Sequence, residues 1–235
     1  MRAALRHRFF VKSLLLIALV GMLAGCSGRA FNVKNLAKSD VDMVADAHIR
    51  ELRNLSHELL VKLYKRNPVQ LSRGKGRSVT RRINQLFSQP NNYRFIELGN
   101  RRGNDAVRLA FDEDFKGDRV FALMVGINSM LNAAYDGKTE LFLLDDLDQQ
   151  KLYDSARNLE IITWRLNNRH NSAGEPFLLS NGYTGRVPNL SFERIFGKMI
   201  VLQDMMAKIV ADRNNRAINS VVHSIASSTL LPVGI

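Results

Sequence analysis

From Ser39 onward the apolar positions recur with helical spacing. Val41, Ala45, His48, Leu52, Leu55, Leu59 and Leu63 follow one another at steps of three and four, which lines them along one face of an amphipathic helix. Ser39 suits its N-cap, with Asp40 and Asp42 in the first turn. Asn67-Pro68 ends it, because the residue before a proline disfavours helical backbone. Val79–Phe87 reads as a short helix stopped before Pro90. Residues 118–135 place Val120, Phe121, Met124, Ile127, Met130, Leu131 and Ala134 at helical spacing and stop at Asp136-Gly137. The same periodicity predicts helices over 148–169 and 191–212, and a softer one over 218–230. Residues 93–98 and 139–144 read as short strands, and 107–111 suits helix and strand equally. Residues 171–189, with three glycines and two prolines, read as an irregular connection between helices, long for that purpose. The expectation is a mainly α chain: an irregular bundle of five to seven helices with at most a small β element, forming a single domain over 39–235.

Ahead of this pattern lies a different one. Arg2, Arg6, Arg8 and Lys12 precede an apolar run over residues 14–25, and no acid occurs before residue 26. Twelve residues of helix span about 18 Å, against ~30 Å for a bilayer core, so the run suits a signal peptide better than a membrane span. It ends in Leu23-Ala24-Gly25-Cys26, which resembles the lipobox of bacterial lipoproteins, and Cys26 is the only cysteine in the chain. The resemblance implies that Cys26 receives a diacylglyceryl group and becomes the N-terminus after cleavage. It implies palmitate-type acylation and residence in a membrane. Two or three acyl chains give stable anchoring where one would not. Ser27, in place of an Asp, points to the outer membrane and the periplasmic side if the source is Gram-negative. Residues 1–25 are then the lipoprotein signal peptide and 26–38 a tether. With its one thiol acylated, the mature chain has no disulfide and depends on its apolar core.

Composition changes the picture through charge. The chain has 235 residues, 46% apolar and 24% charged, with a net charge of +12. That composition excludes a disordered tail, a disulfide scaffold and a polytopic membrane protein. Residues 50–102 carry 13 Lys+Arg against three acids, whereas 103–164 carry six against 12. Arg73, Lys75, Arg77, Arg81 and Arg82 form the densest group, and Arg101 and Arg102 a second. Guanidinium forks grip phosphate and carboxylate bidentately, so these seven residues are candidates for an anion-binding surface. The alternative is a solvated basic face that neutralises the acidic segment internally. The expected partners are the membrane, through the N-terminal lipid, and an envelope protein or anionic polymer at the basic surface. Nucleic acid is not expected, because no nucleic-acid motif accompanies the charge.

Catalytic chemistry is hard to find. His48 and His57 lie nine residues apart, on opposite sides of one helix, where they cannot share a metal. No serine elbow of the Gly-x-Ser-x-Gly type occurs. The segment from Asp112 to Asp118 begins like a calcium loop, but Lys116 and Leu123 occupy ligand positions, so it reads as an acidic turn. Asp145, Asp146 and Asp148 suit a helix start. No metal, cofactor or catalytic residue is expected. The runner-up function is a periplasmic enzyme acting on envelope material, with Asp112 and Asp145 as acid and base.

Overall fold

The computed structural model describes residues 38–75, 78–88, 92–143, 145–184, 186–215, 218 and 230–233. Seven α-helices occur among the described residues: α1 (Asp40–Arg66), α2 (Val69–Arg73), α3 (Val79–Phe87), α4 (Gly103–Ala110), α5 (Arg119–Ala134), α6 (Gln149–Asn168) and α7 (Ser191–Asn214). A two-stranded antiparallel hairpin, β1 (Gly182–Thr184) and β2 (Val187–Asn189), pairs Tyr183 with Pro188. The mainly helical reading holds. No described helix is long and apolar enough to cross a membrane.

The core is organised around α5, in which 14 of 16 residues are buried, so it is covered on all sides. Helix α4 lies closest to it. A Cβ on Gly126 would stand 2.6 Å from a Val107 methyl and 2.9 Å from the Gly103 carbonyl, so the two backbones approach only because α5 has a glycine there. The outer helices are antiparallel. Arg213 donates to Asp42 at 3.1 Å while the Lys62 ammonium lies over the Phe192 ring, which fixes α7 against α1 over most of its length. Likewise Arg157 pairs with Asp204 at 2.7 Å and Asn167 with Glu193, which runs α6 against α7. Between the helices a buried polar chain closes on itself. The Tyr135 hydroxyl donates to Gln203 at 2.8 Å, Gln203 donates to Ser155, and Ser155 donates to the Leu152 carbonyl at 2.6 Å. Each member has a partner, which such a network requires.

The caps follow the sequence. Ser39 and Asp42 form a reciprocal capping box, Asp118 caps α5 and Asp148 caps α6. Asp136 and Gly137, with φ of 52° and 75°, terminate α5 in left-handed conformations. Of the ambiguous 107–111 segment, residues 107–110 belong to α4 and Phe111 is its C-cap.

The two expected strands are corrected. Residues 93–98 form a turn and a 3₁₀ turn (Ile96–Leu98), and residues 139–143 form a tight loop. Their apolar residues plug a helical core instead of facing a partner strand. Phe95 meets Phe121 edge-on at 4.8 Å, and Leu98 and Leu141 are buried. The β structure lies instead within 171–189, where β2 is exposed throughout and carries no apolar alternation. The expected signal peptide (1–25), most of the expected tether (26–38) and nearly all of the expected 218–230 helix lie outside the described residues.

Candidate functional site

The basic segment divides into residues with opposite environments. Arg82 is fully buried. Its guanidinium reaches Glu97 at 2.5 and 2.9 Å, Gln85 at 3.0 Å and Asp118 at 3.1 Å, and it lies 3.8 Å from the centre of the Phe121 ring. Asp118 also accepts from the Tyr64 hydroxyl at 2.7 Å and from the Phe121 N–H at 2.9 Å. One guanidinium thus ties together α1, α3, the 3₁₀ turn and the start of α5. Burial opposes its charge, but the bonds from Glu97 and the charge of Asp118 outweigh that and raise its pKa. Burial likewise opposes charge on Glu97, and Arg82 outweighs it, so the carboxyl sits below its usual range. Burial pushes Asp118 and Tyr64 upward. Gly74 makes room for the cluster, since a Cβ there would fall 2.0 Å from an Arg82 nitrogen.

Arg82 is therefore removed from the anion-binding set: it neutralises an acid of the acidic segment internally. It shares the inward face of α3 with Leu86, one turn on. Arg73, Lys75 and Arg81 are exposed. Arg73 lines a groove of about 840 Å³ with Arg66, Lys116 and Arg119, where Glu113 and Glu175 balance part of the charge. The Lys75 N–H donates to Glu97 at 3.1 Å. Arg77 and Cys26 lie outside the described residues.

Arg101 and Arg102 occupy a more one-sided place. Together with Arg94 and Arg108 they line a groove of about 600 Å³, in which Asp105 is the only acid among the described residues of the lining. The left-handed Gly99 and Asn100 turn the chain so that Arg94 comes back toward Arg102, the N-cap residue of α4. Arg108 follows on the helix and pairs with Asp105 at 3.1 Å, both well exposed. Burial, and then the nearby Arg94 charge, hold the Arg102 guanidinium below its ordinary value, as expected where like charges are gathered. The opposite wall is apolar: Leu230, Pro232 and Val233. That wall is held by Asn158, whose side chain donates to the Leu231 carbonyl at 2.8 Å and accepts the Leu231 N–H at 2.6 Å, and by Asn104 at 2.7 Å. Arg94 and Arg108 are absent from the expected set; the signal for them was the turn at Gly99, which folds two arginine-bearing segments together.

The expected acid–base pair does not converge. The Asp112 carbonyl accepts from Arg119 at the start of α5, whereas Asp145 pairs with Lys138 beyond its end. A 16-residue helix between them spans about 24 Å. The carboxylate of Asp112 caps the Asp114 N–H, as an acidic turn requires.

Compared with protein-family models, curated proteins and solved structures, the chain matches none.

Proposed function

We propose that this protein is a lipid-anchored envelope lipoprotein, held through Cys26 at the outer membrane on its periplasmic side, that docks an anionic envelope polymer in the arginine groove. The observation that carries the docking is the gathering of Arg94, Arg101, Arg102 and Arg108 around one groove with Asp105 as the only acid among its described lining residues. Placing cations together costs repulsion that a bound carboxylate or phosphate relieves. The planar forks present paired donors to either group. Sequence supports the anchor: a basic start, a short apolar run and the single cysteine follow in the order that lipoprotein export requires.

The test uses the full-length lipidated protein in neutral detergent micelles. It is cosedimented with purified sacculi, rich in carboxylates, and in parallel with lipopolysaccharide, rich in phosphates. One arm is expected to bind at 0.1 M salt and to weaken at 1 M, because the Debye length falls from ~10 Å to ~3 Å over that range. Binding to neither polymer, or binding indifferent to salt, rejects the docking. For the anchor, Cys26→Ala is expected to abolish incorporation of a palmitate analogue, and Ser27→Asp to shift the protein toward the inner membrane. Equal labelling of wild type and Cys26→Ala rejects the anchor.

A further inference from the structure

Eleven large apolar side chains are exposed among the described residues, and Phe142 (38% exposed) and Leu143 (58%) are two of them; a third, Met43, lies one turn before Asp46 on the same side of α1. Lys38 is the first described residue, and its ammonium lies 4.9 Å from the centre of the Phe142 ring. Phe142 and Leu143 sit on a loop pinned to α1. Asp46 accepts the Leu141 N–H at 2.8 Å and pairs with Lys38. The loop is tight: Asp145 accepts the Phe142 N–H at 2.9 Å and returns its own N–H to the Phe142 carbonyl at 2.7 Å. Two apolar side chains are thus held outward at a fixed place beside the first turns of α1.

We propose that the Phe142–Leu143 tip, with Met43 on the adjoining side of α1, is a second membrane contact that inserts into the headgroup region of the phospholipid surface to which Cys26 is anchored. The proposal rests on the anchor reading. Lys38 is 12 residues from Cys26, so the tether reaches at most about 40 Å when fully extended. The tip is therefore confined near the bilayer by its own chain, at high effective concentration. Among the described residues, the ion pairs at the tip join Lys38 and Lys138 to Asp46, Glu140 and Asp145. With acids in excess, apolar burial and not charge holds the tip, so this contact is indifferent to salt where the arginine groove is not. The opposite end of α1 faces away: Lys62 and the start of α7 lie there, about 30 Å along the helix from Asp42.

Leu143→Cys gives the lipidated protein one free thiol, since Cys26 is the chain's only cysteine. The thiol is labelled with an environment-sensitive dye, and the full-length protein is reconstituted in phosphatidylethanolamine–phosphatidylcholine vesicles carrying a nitroxide high on the acyl chain. The expected result is a blue shift and strong quenching at position 143, unchanged at 1 M salt. The same dye on Arg194→Cys, at the far end, is expected to stay as it is in solution. Phe142→Ser in the Leu143→Cys background is expected to lose most of the quenching while the protein still floats with the vesicles. Flotation reads the anchor and quenching reads the tip. A protein that floats but is quenched no more at 143 than at 194, or loses the quenching in salt, overturns the tip and leaves the anchor standing. A protein that takes up dye at Cys26 and does not float overturns both.

Discussion

Arg82 and Arg102 are the same residue type, 20 positions apart in one basic segment, yet they do different work. Arg82 meets two carboxylates, an amide and an aromatic face inside the core. Arg102 stands at a groove among three other arginines. The first charge is satisfied by the chain itself; the second is set beside the Arg94 charge, a repulsion that the proposed anionic partner would relieve. A basic segment is therefore not one surface: burial against two carboxylates sets Arg82 apart from the arginines of the groove.

The largest expected effect lies on the buried side. Arg82→Gln leaves Asp118 and Glu97 without their cation, and breaking a buried pair costs about 3–5 kcal/mol. For a domain of this size that lowers the melting temperature by roughly 10 °C or more, read by circular dichroism. A change of only a degree or two would dissolve the contrast between the two regions.

Gly74→Ala tests the same cluster without touching a charge. The new methyl displaces the Arg82 guanidinium, at about 1–3 kcal/mol for overpacking. In the Arg82→Gln background, where the crowded nitrogen is gone, the same substitution is expected to cost less. Equal costs in both backgrounds would show that Gly74 does not act through Arg82.

Glu97 sharpens the comparison through pH. Its folded pKa is lowered, so its contribution is present above the ordinary carboxylate value, about pH 4.5, and is lost as pH falls through the lower folded value. Glu97→Gln is expected to cost about 1–3 kcal/mol at pH 7 and to make the acid limb of the stability profile shallower. An unchanged acid limb would assign the acid sensitivity to other carboxylates.

The smallest effect on stability belongs to the groove. Arg101→Gln with Arg102→Gln should leave stability within about 1 kcal/mol, because Arg101 is exposed and Arg102 only half-buried. A large drop in melting temperature would mean that these arginines, too, are structural.

The helices were legible because their signals are local. Ser39, Asp118 and Asp148 cap the elements they precede, and the step of three and four along α1 is the face that packs. What misled were apolar residues in short segments. Phe95, Leu98 and Leu141 lie in short apolar segments that read like strands but fill gaps between helices, and such a segment alone cannot say whether a neighbouring backbone is free to pair. The hairpin was hidden for the opposite reason, since exposed β2 has no apolar face to announce it. For the site, charge density was legible and its division was not. Arg82 and Leu86 share one face of α3, but the Asp118 that neutralises Arg82 is 36 residues away. The arginine groove depends on the left-handed turn at Gly99 and on Leu230 to Val233, which arrive from the far end of the chain.

The most direct test titrates three forms of the protein against sacculi and lipopolysaccharide: wild type, Arg101→Gln/Arg102→Gln and Glu97→Gln, each below its melting transition. The groove variant is expected to lose affinity on the order of a hundredfold, from two charge-assisted contacts at about 1.5 kcal/mol each, while Glu97→Gln binds like wild type. Undiminished binding by the groove variant, with loss confined to Glu97→Gln, would contradict the assignment of docking to the arginine groove.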